Sequence, residues 1–278
     1  MKKLLFTLLC AALFAGCSDK KLGEDEGHGG NAKKEIPNDM TKAFPDPIFR
    51  AYVLENFDTN KDGKISKKEA AAVKGIDVSK DYDITPDNKK IASLEGVQYF
   101  TNLTTLDCHY NKLTELDVTQ NPALETLDCG GNQLTELDVR QNPALTVLNC
   151  GGNQLTKLDV TQNTALTELY CNSNQLTELD VTHNTALTQL YCYNNQLTTL
   201  DVTQNAALTE LSCYSNRLTT LDVSKTNLGN STSTIPLRCF PMNGLETLYL
   251  RTGQTIKYIY PERNDYCVPA NTQILFKD

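Results

Sequence analysis

The sequence predicts a mainly β solenoid, a stack of similar short coils, with a small α-helical segment before it and β-strands after it. The first observation is a 21-residue unit that occurs six times, starting at Leu103, Leu124, Leu145, Leu166, Leu187 and Leu208. A short fixed period indicates one structural unit stacked on copies of itself. The second is that each unit reads close to L-x-x-L-x-C-x-x-N and then L-T-x-L-D-V-T-x-N. Both halves alternate apolar and variable positions, so we expect short parallel strands on both sides of the coil.

The repeats and their flanks divide the chain into five predicted parts. These are a leader over 1–16, a tether over 17–40, a helical cap over 41–90, the solenoid over 91–228 and a β-rich C-terminal cap over 229–278. In that last part GLETLYLRTGQTIKYIY and NTQILFKD alternate apolar and polar residues, as strands do. We expect them to cover the exposed end of the last repeat.

The first residues have the features of a secretory signal. Lys2 and Lys3 precede an apolar run from Leu4 to Phe14 that is too short to span a bilayer. The following segment, Phe14-Ala15-Gly16-Cys17, resembles a bacterial lipobox. That resemblance implies that Cys17 is diacylated on sulfur and becomes the new N-terminus. An ordinary signal peptide cut nearby is the alternative.

The tether combines many charges and glycines with almost no large apolar residue, so it cannot bury enough surface to fold. Its acidic group Glu24, Asp25 and Glu26 resembles surface-export signals of gut Bacteroidetes lipoproteins. Together these features predict a bacterial outer-membrane lipoprotein at the cell surface, contacting the membrane through its lipid alone. The sequence does not decide whether the protein lies on the inner or the outer face of that membrane. A formal net charge of −8 argues against nucleic acid, which requires a basic surface.

Residues 58–69, DTNKDGKISKKE, match the EF-hand calcium loop, with Gly63 at the sharp turn. Calcium takes six to eight oxygen ligands. The predicted ligands are side chains, one main-chain carbonyl and one water-holding position: Asp58, Asn60, Asp62, Lys64, Ser66 and Glu69. A loop that folds without metal is the alternative. No second loop follows, which favours a structural clip over a calcium sensor.

Helices are predicted on both sides of this loop. PIFRAYVLENF places Phe49, Tyr52, Val53 and Phe57 on one stripe, and KKEAAAVKGI reads as a second short helix.

The lead-in to the repeats, Ile91-x-x-Leu94-Glu95-Gly96-Val97-x-Tyr99, and the cap before it resemble internalins and related bacterial leucine-rich-repeat proteins. The 21-residue unit resembles the irregular class of leucine-rich repeats. The resemblance implies a leucine-rich-repeat solenoid with an EF-hand-like N-terminal cap over its open end. It also implies that the first Asn of each unit turns inward to bond the main chain of neighbouring coils.

The Cys column falls at inward positions and comprises Cys108, Cys129, Cys150, Cys171, Cys192 and Cys213. Buried thiols are the expected reading, since metal sites use clustered spacings; a metal ladder or a disulfide chain is the alternative. Whether Cys239 and Cys267 form a disulfide is left open.

The Asp column points outward, from Asp117 to Asp222, and stacks like charges. Either Thr hydroxyls and main-chain N–H groups offset that repulsion, or the column binds cations.

Information about a partner is expected where the repeats differ. Repeats four to six gather tyrosines and polar residues on the Cys-bearing half, whereas repeats two and three carry Gly and Asp there and look featureless. The predicted ligand-binding face is Tyr170, Tyr191, Tyr193, Tyr214, Glu168, Gln189 and Glu210. Ordinary strand propensity of stacked Tyr is the alternative.

The sequence contains no catalytic motif, and we expect no enzyme. The leading hypothesis is a protein-binding or adhesive envelope protein that recognises a host or bacterial surface protein. The alternatives are binding of glycan or cell wall, and a passive structural role.

Overall fold

The computed structural model describes residues 39–228, 237–239, 244–254 and 272–278. The leader, Cys17, the tether up to residue 38 and Cys267 lie outside these ranges, so the predictions made for them stay predictions. Within the described ranges no helix has the length and apolar character needed to cross a membrane.

Two helices flank the 58–69 loop. Helix α1 spans Pro47–Phe57 and α2 spans Lys67–Ala72. Oδ1 of Asp46 accepts the N–H groups of Ile48 at 2.8 Å and Phe49 at 3.0 Å, which satisfies the start of α1. The predicted apolar stripe is confirmed, because Phe49 and Val53 are buried and the other two members pack partly against the core.

The second helix is shorter than predicted. It ends at Ala72, and Gly75–Asp77 instead forms strand β1, which pairs in parallel with the first repeat. Ile76 is 1% exposed, and the carbonyl of Lys74 accepts from the main-chain N–H groups of Thr104 and Thr105. Burial of Ile76 and these bonds to the repeat outweigh the helical tendency of the sequence.

The repeats form one parallel sheet in exact succession along the chain. Its repeat strands are β2 (Thr105–Asp107), β3 (Thr126–Asp128), β4 (Val147–Asn149), β5 (Glu168–Tyr170), β6 (Gln189–Tyr191) and β7 (Glu210–Ser212). With β1 at one end and β9 (Leu237–Arg238) at the other, the sheet has eight strands, and equivalent residues of adjacent repeats lie in register. The register places each variable column on one line across the sheet.

The prediction of strands on both sides holds only at the C-terminal end. There β8 (Thr220–Asp222), β10 (Thr247–Arg251) and β11 (Gln273–Lys277) form a three-stranded parallel sheet in the order β11-β10-β8. In the earlier repeats the second half forms no strand among the described residues, apart from a single bridge between Asp201 and Asp222. Neighbouring coils there share single main-chain bonds, such as Gln133 N–H to Leu113 O at 2.8 Å, because side chains satisfy much of the remaining backbone.

Two columns of buried asparagine supply those side-chain bonds. Asn153 shows the first column: its Oδ1 accepts from Leu134 N–H, and its Nδ2 donates to the carbonyls of Cys129 and Cys150, each at 3.0 Å. This confirms the inward turn predicted for the first Asn. Asn163 shows a second column that we did not single out from the sequence; its Nδ2 donates to the carbonyls of Val139 and Asn142, both at 2.8 Å.

The C-terminal strands continue the stack. Strand β10 buries Leu248 and Leu250 and pairs with β8. The strands before and after the predicted boundary at residue 228 therefore belong to one sheet. Covering of the last repeat by this region stays a prediction.

Candidate functional sites

The 58–69 loop adopts the sharp turn that its sequence predicts. Asp58 Oδ2 accepts from Gly63 N–H at 2.8 Å, Asn60 Oδ1 accepts from Asp62 N–H at 3.0 Å, and Asp62 Oδ1 accepts from Lys64 N–H at 2.9 Å. Gly63 has φ of 77°, in the left-handed region that glycine adopts without strain. The three oxygen-bearing side chains at the start of the loop are therefore gathered on its inner side.

The carboxylate of Glu69 is engaged by hydrogen bonds from residues of the loop. Its Oε1 accepts from the N–H and hydroxyl of Thr59 at 2.9 and 2.8 Å, and its Oε2 accepts from the N–H and hydroxyl of Ser66 at 3.0 and 2.8 Å. The bonds from Ser66 and Thr59 lower the pKa of Glu69 to about 2. The carboxylates of Asp58, Asp62 and Glu69 do not converge within 4.8 Å among the described residues. The donor types suit calcium, but the side chains must draw together to complete the ligand set.

The chain just before α1 contacts this loop where a partner loop would pair in a double EF-hand. Ile65, which is buried, donates its N–H to Thr41 Oγ1 at 3.0 Å, and its carbonyl accepts from Met40 N–H at 2.9 Å. These bonds satisfy the exposed backbone of an unpaired loop.

The four predicted tyrosines lie together on the large sheet as two ring pairs. Tyr170 and Tyr191 pack edge to face at 5.1 Å, and Tyr193 and Tyr214 stack at 4.5 Å with an interplanar angle of 9°. Offset and edge-to-face pairs of this kind add stability beyond area burial. The structure thus brings all four onto one surface.

The three polar members of the predicted face accept hydrogen bonds from the hydroxyls of Tyr170 and Tyr191. Tyr170 donates to Glu168 Oε2 at 2.7 Å and lies 2.8 Å from Gln189 Oε1; Tyr191 donates to Glu210 Oε2 at 2.7 Å. Partial burial, followed by the bond to Glu210, raises the pKa of Tyr191 to about 12. Both hydroxyls therefore stay neutral donors at physiological pH, in fixed directions. The term tyrosine face is used below for these four tyrosines with Glu168, Gln189 and Glu210.

A groove adjoins the tyrosine face on the repeats that looked featureless in sequence. Four glycines of repeats two and three, Gly130, Gly131, Gly151 and Gly152, lie along it, with Tyr110 and His109 at one end and Tyr170, Tyr191 and Tyr193 at the other. Tyr110 covers Gly131 so closely that a Cβ there would lie 2.2 Å from the ring. Tyr82 packs against Tyr110 at 5.2 Å and is 69% exposed.

The glycines of repeats two and three were interpreted from the sequence as a featureless surface, whereas they form the floor of this groove. Glycine occurs in columns where other repeats carry His109, Asn172 and Tyr193, so missing side chains in two adjacent coils leave an open space.

Comparison with known proteins identifies the repeats. A family model described as leucine-rich repeats (2 copies) matches residues 101–142, 122–163, 143–184 and 164–205. Internalin J from Listeria monocytogenes serotype 4b (strain F2365) is 44% identical over 78 residues, which are 28% of this chain and 8% of that protein. Residues 101–205 are therefore leucine-rich repeats, and part of the chain is similar to Internalin J.

Solved structures resemble the leucine-rich-repeat fold of the chain. Internalin C2 from Listeria monocytogenes strain 4b F2365 has 20% identity and a TM-score of 0.58, covering 87% of this chain and 98% of that one, which supports the fold alone. The functional domain of InlJ from Listeria monocytogenes, which includes a cysteine ladder, has 33% identity and a TM-score of 0.46, with 77% of this chain and 56% of that one covered. The chain therefore spans little more than half of that domain and a small part of full-length Internalin J.

The cysteine column of these leucine-rich repeats consists of fully buried thiols that form no disulfide. Burial raises the pKa of each thiol, as for Cys150. Protonated, inaccessible thiols are packing groups rather than nucleophiles or metal ligands.

The Asp column is stabilised within each leucine-rich repeat. Oδ1 of Asp159 accepts from the N–H and hydroxyl of Thr161 at 3.0 and 2.7 Å, and Asp138 forms an ion pair with Arg140 at 2.8 Å. The bonds from Thr161 lower the pKa of Asp159. Hydrogen-bond donors within each repeat thus offset the repulsion between the stacked Asp charges, as the interpretation based on Thr hydroxyls and main-chain N–H groups predicts.

Proposed function

We propose that this chain is a non-catalytic, lipid-anchored protein of the bacterial cell envelope that binds a protein ligand through the tyrosine face. Internalin-like leucine-rich-repeat proteins are typically protein-binding or adhesive, and they are associated with bacterial surfaces. Lipidation of Cys17 and the outer-membrane location belong to the same proposal and rest on the sequence of the leader.

The fixed geometry of the tyrosines carries this proposal. Ring pairing and the bonds to Glu168, Gln189 and Glu210 hold large amphipathic side chains in place before any ligand arrives. A preordered surface loses little side-chain entropy on binding. Tyr is also enriched among the residues that contribute most to protein interfaces.

Calcium in the 58–69 loop has a supporting role in the proposal. The ion would be held by Asp58, Asn60, Asp62, the carbonyl of Lys64, a position at Ser66 and Glu69 once these side chains draw together. It would stabilise the α-helical segment that covers the first leucine-rich repeat, and it would not contact the ligand.

A glycan is the second candidate ligand, and the glycine-lined groove favours it. The groove has a volume of about 530 Å³ and exposes tyrosine rings at both ends. The open floor between these aromatic rings can accommodate sugar rings.

Replacement of the tyrosines by residues from other repeats tests the proposal with little risk to the fold. Tyr170→Asn and Tyr191→Ser introduce the residues of repeats three and six, and Tyr193→Asn with Tyr214→Asn introduces that of repeat four. The control changes exposed residues of the other half-repeat to Ser: Glu136, Lys157 and Glu178.

The chain and both variants are applied to an array of host and bacterial surface proteins and to a glycan array. We expect protein binding that the tyrosine-face variant loses and the control keeps. Unchanged binding by the tyrosine-face variant would contradict the site, and binding restricted to glycans would favour the second candidate. To separate the groove from the tyrosines, Gly152→Asn fills its floor; Asn tolerates the positive φ of 65° found there.

A further inference from the structure

A mixed cluster of nitrogen and oxygen donors lies at the N-terminal end of the groove. Asp107, His109 and Asp128 each bring one ligand atom within 4.8 Å of the others. His109 Nδ1 lies 2.6 Å from Asp107 Oδ1 and 4.0 Å from Asp128 Oδ2. Among the described residues it is the sole group of three or more His, Cys, Asp or Glu side chains that converges in this way.

The sheet register brings the three residues together. Asp107 and Asp128 are directly paired in the parallel ladder of β2 and β3, and His109 lies two residues beyond Asp107, on the same side of the strand. The next repeat has glycine, Gly130, where the first has His109. No side chain from that position covers the cluster, and its three side chains are each about one third exposed, at 31%, 32% and 29%.

Neighbouring groups orient the two carboxylates. Asp107 Oδ1 accepts from His109 N–H at 3.2 Å, and Asp128 Oδ1 accepts from Gly130 N–H at 3.0 Å. Asn149 Nδ2 donates to Asp128 Oδ2 at 3.0 Å. Outer groups that fix ligand orientation in this way are typical of metal sites.

The electrostatics of the cluster favour an added cation. Two like charges directly opposite in a sheet are destabilising. Asp107 and Asp128 are such a pair in the ladder of β2 and β3, and their carboxylates converge together with His109. A divalent ion bound between the two carboxylates would supply a compensating positive charge.

We propose that Asp107, His109 and Asp128 form a zinc-binding site, with His109 Nδ1 and one oxygen of each carboxylate as ligands and water in the remaining position. One imidazole nitrogen with carboxylate oxygens suits zinc better than calcium, which takes oxygen alone. Ligand atoms that each lie about 2.0–2.2 Å from a zinc ion are roughly 3–3.6 Å from one another. The present separations are 2.6 and 4.0 Å, so side-chain rotations that move the ligand atoms by about an ångström complete the site. Nδ1 gives up its bond to Asp107, and the imidazole proton resides on Nε2.

This site does not depend on the proposed function, because zinc binding is measured without any protein ligand. The competing interpretation is a His109–Asp107 hydrogen bond that stabilises the end of the strand and has no affinity for metal. The two differ in what His109→Gln does to zinc binding.

Isothermal titration with zinc chloride tests the site in the full chain carrying Glu69→Gln, which weakens the calcium loop. In that background we expect His109→Gln, and separately Asp128→Asn, to lower the zinc affinity of one site at least tenfold. The matched control is His183→Gln, since His183 is exposed beside Thr182 in the other half of its repeat. Equal isotherms for the His109 and His183 variants would overturn the proposal.

A second measurement needs no substitution. Zinc should protect His109, but not His183, from modification by diethylpyrocarbonate, read as modified peptides by mass spectrometry. Equal modification of His109 with and without zinc would also overturn the proposal.

Discussion

The two asparagine columns should differ in their contribution to stability, and the third repeat allows a matched comparison. Asn153→Ala removes one accepted and three donated hydrogen bonds, the third a long one to Gly151 O at 3.4 Å, whereas Asn163→Ala removes two donated bonds alone. Oδ1 of Asn163 is buried and accepts no hydrogen bond. The difference between the variants is therefore dominated by the bond from Leu134 N–H to Asn153, because the bond to Gly151 O is long and weak.

The magnitude follows from what each substitution leaves behind. The carbonyls that lose a donor retain another one: Cys129 O still accepts from Asn132, and Val139 O still accepts from Asn142 N–H. Each lost bond costs about 0.5–1.5 kcal/mol, and the buried N–H of Leu134, left without an acceptor, costs about 1–3 kcal/mol. We expect Asn163→Ala to cost about 1–3 kcal/mol and Asn153→Ala about 1–3 kcal/mol more.

Urea denaturation followed by circular dichroism measures both free energies of unfolding, with calorimetry to check that one transition is present. If Asn163→Ala destabilised the chain as much as Asn153→Ala, the assignment of Leu134 N–H to the Asn153 side chain would be refuted.

Three further predictions rest on the structure, and a fourth rests on the sequence of the leader. Calcium should raise the melting temperature because it binds the folded loop; Glu69→Gln should remove most of this gain, Glu55→Gln in helix α1 should keep it, and equal melting with calcium and chelator would contradict the site. Without calcium, the charge of Glu69 should stabilise the fold fully above its unfolded pKa of 4.5 and lose this effect as pH falls toward about 2, so Glu69→Gln should flatten the acid-denaturation profile over that range. The buried repeat thiols, such as Cys150, should resist iodoacetamide in the native chain and react after unfolding; rapid native alkylation would contradict their burial. Cys17→Ser should abolish labelling of the chain by radioactive palmitate in cells and release it from the membrane fraction, whereas equal labelling would exclude Cys17 as the lipidation site.

Repetition made most of the fold predictable from the sequence. Six copies reinforce one another, so the inward Leu and Cys columns and the register of the tyrosines followed from alternation, whereas the inward turn of the first Asn followed from the resemblance to leucine-rich repeats. Strands in the second half of every repeat were predicted because apolar and polar residues alternate there. Alternation does not reveal that side chains such as Asn163 bond the backbone that a strand would otherwise pair. The length of the second helix was missed because pairing of Ile76 with the first repeat is a non-local contact.

The candidate sites were less predictable where they depend on missing side chains or on residues that are far apart in the sequence. The tyrosines stood out by their chemistry, but the groove arises from the missing side chains of Gly130 and Gly151. Asp107 and Asp128 are 21 positions apart, and His109 lies among residues that looked like ordinary strand termini. Their convergence appears when adjacent repeats are placed in register.

Photo-crosslinking from defined positions tests most directly whether the tyrosine face contacts a partner. A benzophenone-bearing phenylalanine analogue replaces Tyr193 in one chain and Glu178, on the other half of the repeat, in a second. Both are displayed on bacteria, exposed to the protein that binds in the array experiment, and irradiated. Crosslinks from position 193 and none from position 178 are predicted. Crosslinks from position 178 with none from position 193 would contradict the proposed binding face.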